Sequence, residues 1–344
     1  MSNTFTKWSV LFLGLFSFLV NSAEFSGEDK LALINALKEM ITTEYVLTEK
    51  IDGIAQALST LEKSPEFKRA ITEQHVAKLL SQTIRKFDGH FSFQWRDRNI
   101  DVSGKNNQQP AREGWFNMLN RKNSGFNKVE ILDGNIAYIS FLGFNNVTSS
   151  SREIVESVMS FVANTDAVIF DLRKNGGGSP EMIQLISSYF FAKKTHLNSF
   201  YNRQTGALTD FWTLDKVNGK KRPHTPIYVL TSHYTFSAAE EFSYNLKHLQ
   251  RGEIIGEATG GGANPVTYFN LGNGFRASIP ISKAVNPITK TNWEGIGVQP
   301  DVKVDAEQAF DTAYKLALKE VKNRVSNPHQ LKEIDDKLSS FVNE

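Results

Sequence analysis

Four short stretches of the chain hold residues that could do chemistry together. In "TSHYTFSAAEEF" (231–242), Ser237 stands between an apolar run, "PIYVL", and a stretch rich in Ala and Glu. The pattern is strand, tight turn, serine, helix. There the helix dipole and the N–H of Ala238 can stabilise negative charge growing on a carbonyl oxygen, as acyl transfer requires. Taken alone, a serine in this place is more commonly an N-cap. In "VIFDLRKNGGGSPE" a buried strand ends at Asp171, Gly176, Gly177 and Gly178 follow, and Ser179-Pro180 starts a helix. Such glycines leave backbone N–H groups unobstructed, so the turn can cradle a phosphate or an oxyanion, or can be a tight turn only. It is neither a dinucleotide-binding fingerprint nor a P-loop.

A serine nucleophile needs a base. Of the seven histidines, His90 stands out at the junction "FDGHFSFQW", where the preceding glycine gives the backbone latitude. His233 is close to Ser237 in sequence but precedes the turn, and the other five lie in helical or polar-loop contexts. Glu294, in the tryptophan- and glycine-rich turn "TNWEGIGVQPDVKV", can orient a histidine as the third member of a triad, or can be an ordinary loop glutamate. The chain has no cysteine, which excludes disulfides, zinc-thiolate sites and a thiol nucleophile. No cofactor and no metal enter the expected chemistry.

The elements that must position these residues read as an α/β protein. Residues 1–23 combine Lys7, an apolar run from Val10 to Val20 and small residues up to Ala23. That is the pattern of a secretory signal peptide, too short to span a bilayer, so export to a periplasmic or extracellular space without a stable membrane anchor is expected. Residues 24–88 are helical throughout, with Leu31, Ile34, Leu37 and Ile41 at helical spacing, and predict a bundle of about three helices. Residues 89–325 hold strands alternating with helices, the signature of a parallel sheet. In this region "NIDVSGKNNQQPAREG" reads as a loop and 238–250 as a helix. Residues 326–344 form a short polar helical tail. Acids and bases nearly balance, at 37 and 39, without a basic patch, so nucleic acid is not an expected partner.

In their order, "DLRKNGGG", "TSHYTFSAAEEF", "IIGEATGGG" and "NWEGIGVQPDV" resemble the tail-specific, or C-terminal processing, serine peptidases. That family includes the tricorn core protease and the repeats of interphotoreceptor retinoid-binding protein. The resemblance covers about residues 85–305 and implies a crotonase- or ClpP-like ββα superhelix. It implies Ser237 as nucleophile, with Gly176 or Gly177 and the N–H of Ala238 as oxyanion donors. The family's bacterial members use a lysine downstream of the serine, but here that region reads "EATGGGANPV" and holds none. The tricorn-like branch uses a histidine before the core and a glutamate after the serine, places that His90 and Glu294 occupy. No PDZ-like segment is read between residues 24 and 130. The expected function is an exported serine endopeptidase with a Ser237–His90–Glu294 triad, acting on peptides or unfolded protein. The alternative is a catalytically inactive binding module for apolar small molecules.

Overall fold

The computed structural model describes residues 25–96 and 110–341; the signal-peptide reading of 1–23 and most of the loop reading near 99–109 fall outside them. The chain opens with helices α1 (Gly27–Glu44), α2 (Ile51–Lys63), α3 (Pro65–Arg69) and α4 (Glu73–Ile84), followed by strand β1 (Ser92–Trp95) and helix α5 (Pro110–Arg121). Then come β2 (Phe126–Leu132), β3 (Ile136–Phe141), α6 (Ser149–Phe161), β4 (Ala167–Asp171) and α7 (Pro180–Ser187). The middle holds β5 (His196–Asn202), β6 (Leu208–Trp212), β7 (Ile227–Thr231), α8 (Ala238–His248) and β8 (Glu253–Gly256). The chain closes with β9 (Val266–Gly272), β10 (Phe275–Pro280), β11 (Ser282–Val285), β12 (Val302–Lys303), α9 (Ala309–Lys322) and α10 (Pro328–Ser340).

A six-stranded sheet, in the order β12-β8-β7-β4-β3-β2, organises the α/β body. Its strands are parallel except β2, which pairs antiparallel with β3. Strand β4 shows why the sheet is covered on both sides. Val168 and Phe170 enter one apolar cluster with residues of α6, α7 and α8, whereas Ala167 and Ile169 enter another with α9. A strand buried on both faces has to be apolar at every position, and "AVIF" is. Two smaller antiparallel sheets, β1-β10-β9 and β11-β5-β6, flank it.

The N-terminal helices bury apolar side chains against one another and against β10. Leu33, Ile34, Leu37 and Ile41 of α1 pack with Ile54 and Leu58 of α2, Val76 and Leu80 of α4, and Phe275, Ala277 and Ile279 of β10. The α1 helix starts in a capping box formed by Ser26 and Asp29. The helical region ends at Asp88 to His90, and the His90 ring packs against Phe236, the residue before the serine. Among the described residues no helix is long and apolar enough to cross a membrane.

One expectation needs correction, and one strand was not foreseen. The segment "PAREG" begins helix α5 instead of ending a loop, because Pro110 starts the helix and the polar residues before it mask the signal. Strand β6, "LTDFW", has no strong sequence signature because most of it is exposed and it relies on pairing with β5.

Candidate active site

The serine and the glycine turn lie at the carboxyl ends of adjacent strands β7 and β4, where open parallel sheets place their ligands. Ser237 immediately precedes α8 with φ 56° and ψ −121°, a region that a side chain seldom occupies. Such backbone strain is kept only where the surroundings over-determine it. Here they do. Phe236 N–H donates to the Asn175 carbonyl at 3.1 Å, Ala239 N–H to the Phe236 carbonyl at 3.1 Å, and Ser237 N–H to Glu240 Oε2 at 2.8 Å.

Glu240 is the hub of this arrangement. Its side chain is fully buried and accepts from Ser237 N, Gly262 N, Thr259 Oγ1 and Gly261 N, the last at 2.6 Å. One carboxylate thus ties the serine turn to the second glycine run, Gly260–Gly262. Burial pushes its pKa up to about 7, and the four donors hold it from going higher. The S-x-x-E spacing from Ser237 to Glu240 was a readable capping signal, although its reach to Gly261 and Gly262 was not. Glu240→Gln puts an amide among donors that need an acceptor. It is expected to cost about 2–4 kcal/mol, read as a lowered urea midpoint; a loss below about 0.5 kcal/mol would contradict this hub role.

The glycine turn sits against the serine. A side chain at Gly177, whose φ is +93°, would come within 2.8 Å of both Ala238 N and Ser237 Cβ. Gly177 N–H donates to Asn175 Oδ1 at 2.9 Å, while Asn175 Nδ2 anchors to the Phe141 carbonyl. Gly176 differs, for its N–H is committed to the Leu142 carbonyl at 3.0 Å. Of the two glycines expected as donors, Gly177 abuts the serine turn.

His90 and Ser237 line one cavity of about 310 Å³, without a hydrogen bond between them. Catalytic hydrogen bonds of a free enzyme commonly tighten only when substrate arrives. The His90 ring lies 4.6 Å from the Phe236 ring, and a side chain at Gly262 would stand 2.2 Å from Phe236 Cζ and 2.7 Å from His90 Cε1. That close approach requires glycine. Burial lowers the His90 pKa, opposed by Asp88 and assisted by Arg85.

Glu294 reaches the same place from the far side. Asp88, His90 and Glu294 each bring a ligand atom within 4.8 Å of the others'. Glu294 Oε2 accepts from Ala263 N at 2.7 Å, whereas Glu294 Oε1 and His90 Nδ1 are both buried without a hydrogen-bond partner. Burial, and then the field of Asp88, push the Glu294 pKa up to about 8.

Asp88 was not foreseen. It is buried, with Oδ1 3.8 Å from His90 Nδ1 and accepting from His90 N at 2.9 Å. Its Oδ2 accepts from Asn264 Nδ2 and from the Tyr45 hydroxyl. Nothing local marks "FDGH" as a carboxylate site, because two of its partners come from distant parts of the chain. The other histidine near Ser237 in sequence lies elsewhere: His233 is exposed and pairs with Glu257.

Known proteins resemble this chain in sequence and in fold. The model of peptidase family S41 matches residues 135–304, which include the glycine turn, Ser237 and Glu294. A chloroplastic C-terminal processing peptidase of Tetradesmus obliquus is 26% identical over 173 residues, 50% of this chain and 36% of the relative. The matched stretch therefore spans little more than a third of that protein. Among solved structures, mature CPAF superposes with a TM-score of 0.63 at 12% identity, covering 88% of this chain and 99% of that one. A Parabacteroides merdae protein gives a TM-score of 0.60 at 18% identity, covering 84% of this chain and 96% of that one. At these identities the likeness is one of fold, a mixed α/β architecture. The match over residues 135–304 places this region of the chain in peptidase family S41, a family of serine-type peptidases.

Proposed function

We propose that the protein is an exported serine endopeptidase whose triad is Ser237, His90 and Glu294. One observation carries the reading: a strained serine at a helix N-terminus shares a cavity with a histidine, and that histidine clusters with Glu294, the two having a buried, unpartnered Nδ1 and a buried, unpartnered Oε1. In this reading Nδ1–H donates to Glu294, which leaves Nε2 to take the Ser237 proton. Ser237 Oγ attacks the peptide carbonyl, and the oxygen that becomes negative is held by the N–H groups of Ala238 and Gly177. Gly177 would then share or exchange its present acceptor, Asn175 Oδ1. The imidazolium returns its proton to the departing amine, leaving an acyl-serine. Water, deprotonated by His90, attacks the ester and releases the new carboxyl end.

The same reading takes the β3–β4–β7–β8 body with its helices as a crotonase- or ClpP-like ββα superhelix carrying an N-terminal helical domain. The substrate is a peptide or an unfolded segment, met in the periplasm or outside the cell after removal of residues 1–23. Treatment of the purified chain with a fluorophosphonate probe tests the proposal. Covalent labelling of Ser237, located by mass spectrometry, is the expected result. Absence of labelling at millimolar probe would overturn it.

A further inference from the structure

The mechanism uses Ser237 and the N–H of Ala238, and Glu240 braces their turn, but nothing in it gives a task to Glu241, which lines the cavity beside the nucleophile. Glu241 is only 2% exposed, and burial pushes its pKa up to about 8; the side-chain amides of Asn198 and Asn245 pull against that rise and the neighbouring carboxylate Glu181 adds to it. Among the described residues no cation offsets it. Charged groups are rarely this buried without a partner, and the desolvation cost is large.

The surroundings of Glu241 repeat the imbalance. Asn245 lies one helical turn further along α8, on the same face. Across from it, Asn198 shares a face of β5 with Phe200, which lines the cavity. Both asparagine side chains stand next to the Glu241 carboxyl, and both residues are at most 1% exposed. Neither amide atom of Asn198 completes a hydrogen bond, and neither does Asn245 Nδ2. Of these three buried polar side chains Glu241 lines the cavity, whose walls also include Phe200, Trp293 and Tyr268, and the two asparagines stand beside its carboxyl. An inert core position would have been satisfied or apolar.

We infer that this end of the cavity is a specificity pocket for a basic side chain, lysine or arginine, placed next to the scissile bond by Ser237. The inference rests on the peptidase reading above. An arriving ammonium or guanidinium group finds the Glu241 carboxyl to accept its N–H groups, with the two buried amides beside that carboxyl. Its aliphatic stem packs against the aromatic walls, whose faces also attract a cation. Glu241 gives up its proton to solvent as the cation arrives, and the pair formed is neutral overall. Asn198 and Asn245 share the remaining donors and acceptors.

Two peptide aldehydes that differ only in the last side chain test this. Acetyl-Leu-Leu-argininal and acetyl-Leu-Leu-norleucinal are compared as competitors of fluorophosphonate labelling at pH 8. The argininal is expected to protect at a concentration at least about tenfold lower, a difference of about 1.4 kcal/mol. Glu241→Gln keeps the shape and removes the charge, and is expected to bring the two aldehydes within about twofold of each other. A wild type that labels normally but prefers norleucinal, or treats the two alike, overturns the pocket and leaves the peptidase reading intact. Preservation of the tenfold gap in Glu241→Gln overturns the assignment to Glu241. A wild type that does not label at all defeats the peptidase reading, and the pocket with it.

Discussion

Ser237→Ala is expected to abolish fluorophosphonate labelling and to lower peptide hydrolysis by about 10³–10⁶-fold, with almost no change in stability. The substitution removes only the hydroxyl oxygen. It keeps the Cβ, and hence keeps the unfavourable φ of 56°. Ser237→Gly separates the two roles of the position. Glycine occupies that region freely, whereas strain of this kind costs a residue with a Cβ about 1–3 kcal/mol. Part of the gain is offset because glycine is freer in the unfolded chain. The glycine variant is therefore expected to be inactive and about 1 kcal/mol more stable than the wild type, with Ser237→Ala close to the wild type. Urea unfolding of the three proteins checks the order. A glycine variant less stable than the alanine variant would show that the turn stores no strain. A position that weakens the fold while presenting a hydroxyl to a cavity is selected for something other than capping.

How much of this was legible in the chain depends on where each signal resides. Strand β4 could be read because its two faces are both buried, so "AVIF" needs no partner to be recognised. Ser237, Ala238 and the glycine turn were legible for a related reason, since strand, turn and helix N-terminus are each local patterns. His90 and Glu294 were legible only through their order relative to those patterns. Asp88 was not legible at all, because its burial depends on Tyr45 in the first helical segment and Asn264 in the second glycine loop. The division of labour between Gly176 and Gly177 was hidden too. It is set by which N–H the Leu142 carbonyl takes, a contact across the sheet. Glu241 fell between these cases: its helical position was plain, but only the packing of α8 on β5 reveals that it faces a cavity.

The pH profile of acylation is where Asp88, His90 and Glu294 should declare themselves. His90→Ala is expected to lower the rate of fluorophosphonate inactivation by about 10²–10⁴-fold at pH 7.5. In the wild type the base must be neutral, and burial holds the His90 pKa below its usual 6.5. The acid limb therefore lies below pH 6.5, with activity rising as the imidazolium loses its proton. A second rise is expected near pH 8. Below that pH Glu294 is held neutral by burial and by Asp88, partly relieved by Lys50 and made worse by Glu240. In that state the field on His90 comes from Asp88 on one side and Arg85 on the other. When Glu294 ionises, its carboxylate stabilises the imidazolium that forms as Ser237 attacks. One unit of pKa gained by His90 corresponds to 1.36 kcal/mol, so the second rise should be about tenfold or less. Glu294→Gln keeps the side chain's size and cannot ionise, so the second rise should vanish while the acid limb stays. Inactivation rates measured from pH 5 to pH 10 decide it. A second rise that persists in Glu294→Gln would assign it elsewhere, and Asp88 would then be the carboxylate that orients His90.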